Sequence, residues 1–515
     1  MITDLEGIDS DPFAGKVFDV CIYGAGAAGI TLALKLSKKL KVALLEAGDF
    51  EYSEQSQSVY QGKITGHEYF PLTATRLRYF GGTTNHWGGI CRPLDSYDFE
   101  KKPYVDYSGW PIKRSELEPY LEETKSILDI PLEAKENNTH TDEVMSKRIV
   151  SEGDFRNIDF WQSAPTRFGT KYREEIEKRD NLSCFLNANM TNMTLSDGLS
   201  SVKEVEVRNY HLRAFRLRSK LVVLATGGIE NPRILLNCTD QIETGIGNGR
   251  DLVGRFFADH PHNSLGDFLL EDPVMDDVAK NWIGTRESRR FLSPSPDFMQ
   301  KEKILNFGLR FQPNNVYTKH GFKEALRRNV LCESDLAKAV IKNLRGESLY
   351  CPVGDGDLRM ASEQAPNPSS RVMLGEERDK FGHRRTVLNW QLSEIDKRTI
   401  RIGVMHFAKT FAALSLGRVH LADWLLSEND DFELPGLNKD EVAGNHEMGT
   451  TRMATSPSEG VVDKNHKVFG IDNLYMAGSS VFSTTGHANP TFTIVQMTLR
   501  LADHINRQFL GRAVG

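Results

Sequence analysis

The spacing of apolar residues changes several times along the chain, and each spacing predicts a different element. Val17–Tyr23 is an apolar run rich in β-branched residues, which predicts a buried strand. After a glycine-rich turn, Ile30, Ala33 and Leu34 recur at helical spacing. Val42–Leu45 form a second short apolar run. The chain is therefore expected to open with a strand, a tight turn, a helix and a second strand.

The first turn has the pattern Gly24-x-Gly26-x-x-Gly29, and Glu46 follows the second strand. In dinucleotide-binding proteins the first glycine permits the tight turn, the second lets the backbone approach a pyrophosphate, and the third lets the helix pack close to the sheet. The helix N-terminus supplies free N–H groups for the phosphates. An acid about 20 residues further on accepts a hydrogen bond from a ribose hydroxyl. These four residues are therefore predicted to bind a dinucleotide cofactor.

Beyond this unit the pattern predicts helices, then strands, then a second glycine turn. Residues 115–150 are predicted to be largely helical. Alternating apolar positions at 183–195, 202–210 and 214–226 predict three strands of an antiparallel meander. The last strand runs into a second glycine turn at 225–228, and a helix is predicted over 232–236. A further amphipathic or buried helix is predicted over 328–346.

The C-terminal part returns to strand and helix. Residues 473–478 predict a short strand and a turn ending at Gly478, followed by a long helix with one apolar stripe, which is typical of core packing. The segments that end at Ala225 and Gly478 both predict strands returning to the sheet of the first turn. Such returns are typical of a domain that holds one long, bent FAD molecule, whereas NAD is compatible with the glycine turn alone.

Composition excludes several other classes of protein. The 515 residues include 64 lysines and arginines against 70 aspartates and glutamates, a formal net charge of −6, which gives no reason to expect nucleic acid or an anionic membrane as a partner. No run approaches the roughly 20 apolar residues that span a bilayer. The N-terminus lacks the features of a signal peptide, so a cytoplasmic location is expected. The cysteines are scattered without metal-site spacing, so reduced thiols and no metal are expected.

Longer motifs are spread along most of the chain. They are YGAGAAG and LLEAG near the N-terminus, GGTTNHWGG at 81–89, SGWPI at 108–112, ATGGIENPRILL at 225–236, VGRFFADHP at 253–261, NHEMGTTRM at 445–453 and GHANPTFT at 486–493. Together they resemble the glucose–methanol–choline (GMC) family of flavoprotein oxidoreductases. The NHW and HANPT variants resemble the pyranose 2-oxidase and fructose dehydrogenase branch more than glucose oxidase. Residues 262–350 match nothing in the family, and substrate identity is expected to reside there.

The resemblance implies an α/β fold in which a Rossmann-like FAD-binding domain is interleaved with an α+β substrate domain, a mixed sheet covered by helices. The FAD-binding domain is expected at 16–95, 165–255 and 455–515. The substrate-binding domain is expected at 96–164 and 256–454, and residues 1–15 are expected to form an N-terminal extension.

The resemblance also implies chemistry on an alcohol. In the family a histidine accepts the hydroxyl proton, the carbinol hydrogen passes as hydride to flavin N5, and a second His or Asn holds the oxygen. His446 matches the base and Asn489 the second position, with His487 as a further catalytic candidate. Asn489 before Pro490 is also the pattern of a helix N-cap, and His487 also fits a packing role. His260 in the ADHP motif is expected to be structural.

The cofactor contacts that the resemblance implies lie mostly in glycine-rich and helix-terminal segments. His86 occupies the position at which some relatives attach the flavin covalently, so a covalent link is one alternative, with a non-covalent contact favoured. Met190 lies in the strand whose backbone faces adenine in the family. The expected FAD-contacting residues are Gly24, Gly26, Gly29, Glu46, Gly82, Thr83, Asn85, His86, Trp87, Gly88, Met190, Ala225, Gly478, Asn489, Pro490 and Thr491.

The substrate implied is a small alcohol, with a secondary hydroxyl of a sugar, glycoside or polyol-like metabolite favoured by the branch. The electron acceptor is left open among oxygen, a quinone and a redox protein. A second class of function is also compatible with the fold, namely a non-redox lyase of the hydroxynitrile-lyase type that keeps FAD structurally.

Overall fold

A computed structural model describes residues 1–134, 144–270, 288–313, 355–426 and 442–512. The strands, in chain order, are β1 (Ile2–Asp4), β2 (Val17–Tyr23), β3 (Val42–Leu45), β4 (Gly62–Gly66), β5 (Ile90–Cys91), β6 (Phe155–Gln162), β7 (Leu182–Leu186), β8 (Asn189–Leu195), β9 (Val202–Arg208), β10 (Ala214–Leu224), β11 (His262–Leu270), β12 (Ser288–Pro294), β13 (Phe307–Pro313), β14 (Asp355–Ser362), β15 (Arg371–Arg378), β16 (Arg384–Trp390), β17 (Gly417–Leu421) and β18 (Leu474–Met476).

The helices are α1 (Ala27–Leu36), α2 (Glu54–Gln57), α3 (Leu121–Ile127), α4 (Val144–Ser151), α5 (Phe168–Glu177), α6 (Gly227–Asn237), α7 (Pro296–Glu302), α8 (Glu394–Ala413) and α9 (Thr491–Arg512). Short 3-10 segments lie at Leu5–Gly7, Ser58–Tyr60, Gly82–Asn85, Ser96–Phe99, Arg114–Glu116, Glu118–Tyr120, Asp423–Leu426 and Ser479–Val481. The helix predicted over 328–346 lies outside the described residues.

The first sheet contains the strand–turn–helix–strand unit predicted at the start of the chain. Its order is β1-β7-β3-β2-β10-β9-β8, and β18 also pairs with β10. The pairings from β1 to β10, and that of β18, are parallel. Val20 and Ile22 of β2 lie in one core and Cys21 and Tyr23 in another, so this strand is buried on both faces as a central parallel strand should be. The predicted Rossmann-like architecture is confirmed.

The strands at 183–226 differ from the prediction in one respect. β7 pairs parallel with β3, so it belongs to the parallel part of the sheet, and only β8, β9 and β10 form the antiparallel meander. Asn187 adopts a left-handed conformation (φ 53°) between β7 and β8. Asparagine tolerates this conformation, and it breaks what looks in sequence like one continuous strand.

Two helical predictions also change. In the described part of 115–150, only α3, α4 and short 3-10 turns are helical, and α3 ends just before Asp129, whose φ is 54°. α6 begins at Gly227 rather than at 232 and contains Pro232 in its interior. Because Pro232 has no N–H for the Gly228 carbonyl four residues earlier, that carbonyl instead accepts a hydrogen bond from the Thr450 hydroxyl.

The second sheet has the order β17-β11-β14-β13-β12-β6-β5, with antiparallel pairings throughout its described strands. Helix α8 covers one face, where its Val404, Phe407 and Phe411 share a core with Phe307 and Phe311 of β13. This apolar packing, worth about 1.5–3 kcal/mol for each buried side chain, fixes α8 on the second sheet.

A small third sheet, β15-β16-β4, connects distant parts of the chain through the parallel pairing of β4 with β16. The N-terminal residues are also incorporated, because β1 pairs with β7 at the edge of the first sheet. The exact domain boundaries stay a prediction. Among the helices described, none is long and apolar enough to cross a membrane.

Candidate active site

A cavity of about 700 Å³ lies at the carboxyl ends of β2, β3, β10 and β18 and extends to the second sheet. This is the edge at which parallel sheets bind their ligands, and the volume is in the ordinary range for a cofactor or small-molecule site. Fifteen of the residues predicted from the sequence line it, namely Gly24, Gly26, Glu46, Gly82, Thr83, His86, Trp87, Gly88, Ala225, His446, Gly478, His487, Asn489, Pro490 and Thr491.

The glycine turn has the geometry that a dinucleotide needs. Gly24 has φ +105°, a conformation that L side chains rarely adopt. A Cβ on Gly29 would lie 1.8 Å from the Gly24 carbonyl oxygen, so only glycine lets α1 start this close to β2. A Cβ on Gly26, in contrast, would meet no atom within 4 Å in the described part of the chain. Gly26 lines the cavity, so this open space fits a pyrophosphate lying against the backbone.

Glu46 is buried at the end of β3, and its carboxylate braces the turn. One oxygen accepts a hydrogen bond from the Ala25 N–H (2.9 Å) and the other from the Gly48 N–H (3.0 Å). Burial raises the pKa of this carboxyl above its usual value. Each oxygen keeps a second lone pair, so the contact of Glu46 with a ribose hydroxyl stays a prediction.

A buried guanidinium faces the same end of the cavity. Arg76 is 4% exposed, and none of its three nitrogens has a hydrogen-bond partner among the described residues. Its nearest carboxylates are Glu230 at 3.6 Å and Glu447 at 3.9 Å, and its Cζ lies 4.1 Å from the centre of the Tyr60 ring. Burial raises the pKa of Glu447 to about 7. Buried N–H groups without partners are costly, and the phosphates and hydroxyls of FAD are groups that would satisfy them.

Three predicted cofactor residues are not among the described residues that line the cavity. Gly29 lies behind the cavity wall, where the absence of a side chain lets α1 approach β2 closely. Asn85 donates from Nδ2 to the Phe80 carbonyl (2.9 Å), so its amide holds the glycine-rich loop. Met190 is 3% exposed and belongs to the apolar core of the first sheet.

His86 and Trp87 lie in the glycine-rich loop at the cavity wall. The Trp87 indole N–H donates to the Thr166 carbonyl (2.9 Å), which fixes the ring as part of that wall. Partial burial, with a smaller contribution from Arg167, lowers the pKa of His86. A covalent bond from His86 to the flavin stays a prediction.

His446 lies on the loop that follows the second sheet, and Asp259 fixes the backbone of that loop. The Asp259 carboxylate accepts hydrogen bonds from the N–H groups of Gly444 (3.1 Å) and His446 (3.0 Å) and from the Tyr69 hydroxyl (2.6 Å). The His446 ring is half-buried, and its Nδ1 lies 3.0 Å from Nδ1 of His260. Burial, with smaller effects of His260 and His262, holds the pKa of His446 well below its usual value.

Asn489 and His487 reach the same cavity from the segment before α9. The Asn489 amide donates to the Ile90 carbonyl (2.8 Å), and α9 begins at Thr491, so Asn489 does not act as the predicted N-cap with Pro490 as the first helical residue. His487 is 2% exposed, and neither ring nitrogen has a hydrogen-bond partner in the described part of the chain. Burial holds its pKa well below the usual value.

The second sheet supplies a further wall of the cavity, in part from the region 262–350 in which substrate identity is expected to reside. Its lining side chains include His262, Phe291, Arg310 and Arg359. Arg310 and Arg359 lie directly opposite each other on β13 and β14, and Arg359 is paired with Asp357 (2.7 Å). No spacing in the sequence indicates these residues, because they meet only through strand pairing. Within the described ranges, no group of three or more His, Cys, Asp or Glu residues is arranged to hold a metal ion.

Comparison with protein-family models gives two matches along the chain. The model for FAD dependent oxidoreductases matches residues 19–238, which include the glycine turn, Glu46 and the glycine-rich loop. The model for GMC oxidoreductases matches residues 366–498, which include the His446 loop and the segment with His487 and Asn489. The two matches therefore cover both ends of the cavity.

Curated relatives match over nearly their whole lengths. The chain is 23% identical to 2-methyl-1,2-propanediol dehydrogenase from Mycolicibacterium austroafricanum, with 95% of each chain covered. It is 22% identical to the large subunit of fructose dehydrogenase from Gluconobacter japonicus, with 95% of this chain and 97% of the relative covered. The crystal structure of pyridoxine 4-oxidase from Mesorbium loti has the same fold (TM-score 0.58, 15% identity, 95% of this chain and 99% of the other covered).

Proposed function

The chain belongs to the GMC oxidoreductase family of FAD-dependent enzymes, and we propose that it oxidises a secondary hydroxyl of a sugar, glycoside or polyol-like metabolite to a carbonyl, with His446 as the base. The single observation that carries the proposal is the position of His446 on the wall of the cavity that the glycine turn also lines; burial there lowers the pKa of its imidazole, which favours the neutral form. Both curated relatives described above are named for oxidation of a hydroxyl-bearing substrate. We propose oxygen, a quinone or a redox protein as the electron acceptor.

Different residues of the cavity would bind the cofactor and act on the substrate. Gly24, Gly26 and Arg76 would hold the pyrophosphate and ribose end of FAD, and the segment at 489–491 would lie against its flavin end. When bound, FAD would supply the acceptor for the carbinol hydrogen, which leaves as hydride with the two electrons of its C–H bond. His446 accepts the hydroxyl proton, so that the alcohol loses two hydrogens in total and becomes a carbonyl.

His487 and Asn489 are suited to hold the oxygen from which that proton leaves. A buried imidazole without partners costs about 1–3 kcal/mol, and His487 would recover this by donating a hydrogen bond to the substrate. Asn489 uses one amide N–H on the Ile90 carbonyl and retains another for the same oxygen. Negative charge that develops on the oxygen is thereby stabilised by groups already in place.

Replacing His487 by phenylalanine tests this role. Because His487 makes no hydrogen bond within the described protein, the His487→Phe apoprotein should unfold at the same temperature as the parent or higher. The kcat/KM for the alcohol should fall roughly tenfold, the equivalent of one lost hydrogen bond to the substrate oxygen. Steady-state kinetics and thermal unfolding measure the two effects. An unchanged kcat/KM in a stable variant would assign His487 to packing alone.

The function itself is tested on the holoenzyme by its visible flavin spectrum. Sugars, glycosides and simple alcohols are added separately under anaerobic conditions, and bleaching of the flavin band by one class is expected. Admitting air then tests oxygen as the acceptor. A lyase of the hydroxynitrile type would convert its substrate while its flavin stays oxidised. Cleavage of a cyanohydrin, without bleaching by any alcohol, would therefore favour the lyase.

A further inference from the structure

The structure assigns to His260 a role that the sequence did not indicate: we propose that it is a positioning residue that fixes the tautomer of His446. The inference rests on the proposed function, because it concerns the proton on the proposed base. Its basis is a chain of three groups, the Gly486 carbonyl, the His260 ring and the His446 ring, joined by two contacts of hydrogen-bond length.

The first contact determines where His260 carries its proton. Nε2 of His260 lies 2.8 Å from the Gly486 carbonyl oxygen. A carbonyl oxygen only accepts hydrogen bonds, so Nε2 must be the donor. A neutral imidazole has one N–H, which leaves Nδ1 of His260 as a lone-pair acceptor. His260 is 1% exposed, and burial lowers its pKa to about 4, which keeps the ring neutral.

The second contact determines which nitrogen of His446 carries the proton. Nδ1 of His446 lies 3.0 Å from Nδ1 of His260, and two lone pairs would repel each other at this distance. His446 must therefore donate from Nδ1, and its Nε2 is the nitrogen left without a proton. The base is thus held in the tautomer that can accept a proton before any substrate arrives.

The backbone fixes the two rings relative to each other. One oxygen of Asp259 accepts hydrogen bonds from both the His260 N–H (2.6 Å) and the His446 N–H (3.0 Å). The Tyr69 hydroxyl donates to the other oxygen (2.6 Å). Both histidines are therefore anchored to a single buried carboxylate, and the spacing of their rings does not depend on a flexible loop.

The arrangement also suits the protonated state of the base. After Nε2 of His446 has accepted a proton, its Nδ1 still donates to His260, and this hydrogen bond becomes charge-assisted. The other titratable groups around the pair are His262, His487, Asp259, Tyr69 and Glu447, and Arg310 and Arg359 face His262. The Asp259 oxygens accept hydrogen bonds from backbone N–H groups and from the Tyr69 hydroxyl rather than from the ring nitrogens of His260 or His446.

Two conservative substitutions separate the two contacts of His260. In His260→Asn the amide oxygen takes the place of Nδ1, so an acceptor for His446 is kept while the reach to Gly486 is lost. In His260→Gln the longer amide keeps the donor to Gly486 but offers no acceptor at the Nδ1 position. We expect His260→Gln to slow flavin reduction by the alcohol roughly tenfold or more, a part of what a positioned base contributes. The His260→Asn holoenzyme should keep a rate distinctly closer to that of the parent than His260→Gln does, with KM and FAD content unchanged in both.

Every outcome is informative. Greater activity in His260→Gln than in His260→Asn would assign the residue to anchoring Gly486 and overturn the proposal, as would equal rates in the two. The parent protein supplies a test that needs no variant at position 260. In selectively 15N-labelled holoenzyme, the His446 ring, identified by its loss in His446→Gln, should be protonated at Nδ1, and protonation at Nε2 would overturn the inference. If His446→Gln reduced its flavin normally, the base assignment itself would fail, which distinguishes the two failures.

Discussion

Replacing His446 by glutamine is expected to slow flavin reduction by the alcohol by about 10²- to 10⁴-fold, the contribution of a positioned general base. Glutamine keeps a polar group of similar reach, but its amide cannot take up the hydroxyl proton. The rate is measured in the holoenzyme by anaerobic stopped-flow absorbance. FAD content should be unchanged, because the phosphate end of the cavity is formed by other segments.

His211→Gln is the matched control for this substitution. The His211 side chain is 79% exposed and pairs with Glu6 on the surface, so the same chemical change there should leave the rate unaltered. Flavin reduction in His446→Gln at the parent's rate would remove His446 as the base.

The pH profile provides an independent check on the same residue. The base must be neutral to accept a proton, and burial holds the pKa of His446 well below its ordinary value of 6.5. The neutral form therefore persists as the pH falls through 6.5, and kcat/KM should decline only at distinctly lower pH. A fall in kcat/KM towards acid pH that is centred at or above pH 6.5, and that His446→Gln does not show, would contradict the lowered pKa of His446.

Exchanging single glycines of the first turn for alanine should separate cofactor binding from folding. In Gly26→Ala the new methyl group meets no atom within 4 Å in the described structure, and it points into space that the pyrophosphate would need. The apoprotein should be as stable as the parent, whereas the Kd for FAD should rise roughly 10- to 100-fold. FAD titration of the apoprotein and urea unfolding measure the two effects.

Gly29→Ala is the contrasting variant. Its methyl group would lie 1.8 Å from the Gly24 carbonyl oxygen, a backbone atom that cannot rotate away. The free energy of unfolding of the apoprotein should fall by about 3 kcal/mol or more. Equal destabilisation by Gly26→Ala and Gly29→Ala would contradict the separate roles assigned to these glycines.

The features of the site that the sequence predicted and the structure contains are those that depend on local backbone geometry. Within six residues, the glycine pattern predicts a positive φ at Gly24, open space beside Gly26 and a close contact of the helix at Gly29. The structure has all three features. The motif around His446 and the segment ending in Asn489 were placed by resemblance to known sequences, and they reach the same cavity.

The residues that the sequence missed depend on contacts across long stretches of chain. His260 contacts His446, which lies 186 positions later in the chain. The residues next to His260 in the sequence therefore indicate only a turn. Asn85 donates from its amide to the Phe80 carbonyl, and its contact with the flavin stays a prediction. For Arg76, only the folded chain shows that its nitrogens have no hydrogen-bond partner among the described residues.

The position of β18 has a consequence for how the protein is made. β18 completes the parallel part of the first sheet by pairing with Val222, Val223 and Leu224 of β10, which precede it by about 250 residues of chain. Until the ribosome has released residues 474–476, the backbone groups along that side of β10 are an open strand edge, which is prone to pair with another chain. The cavity also lacks Gly478, His487 and Asn489 until then. The nascent protein therefore cannot form the complete cavity before these residues have left the ribosome, and its yield in cells should depend on chaperones that shield the open edge until then and on the supply of FAD afterwards.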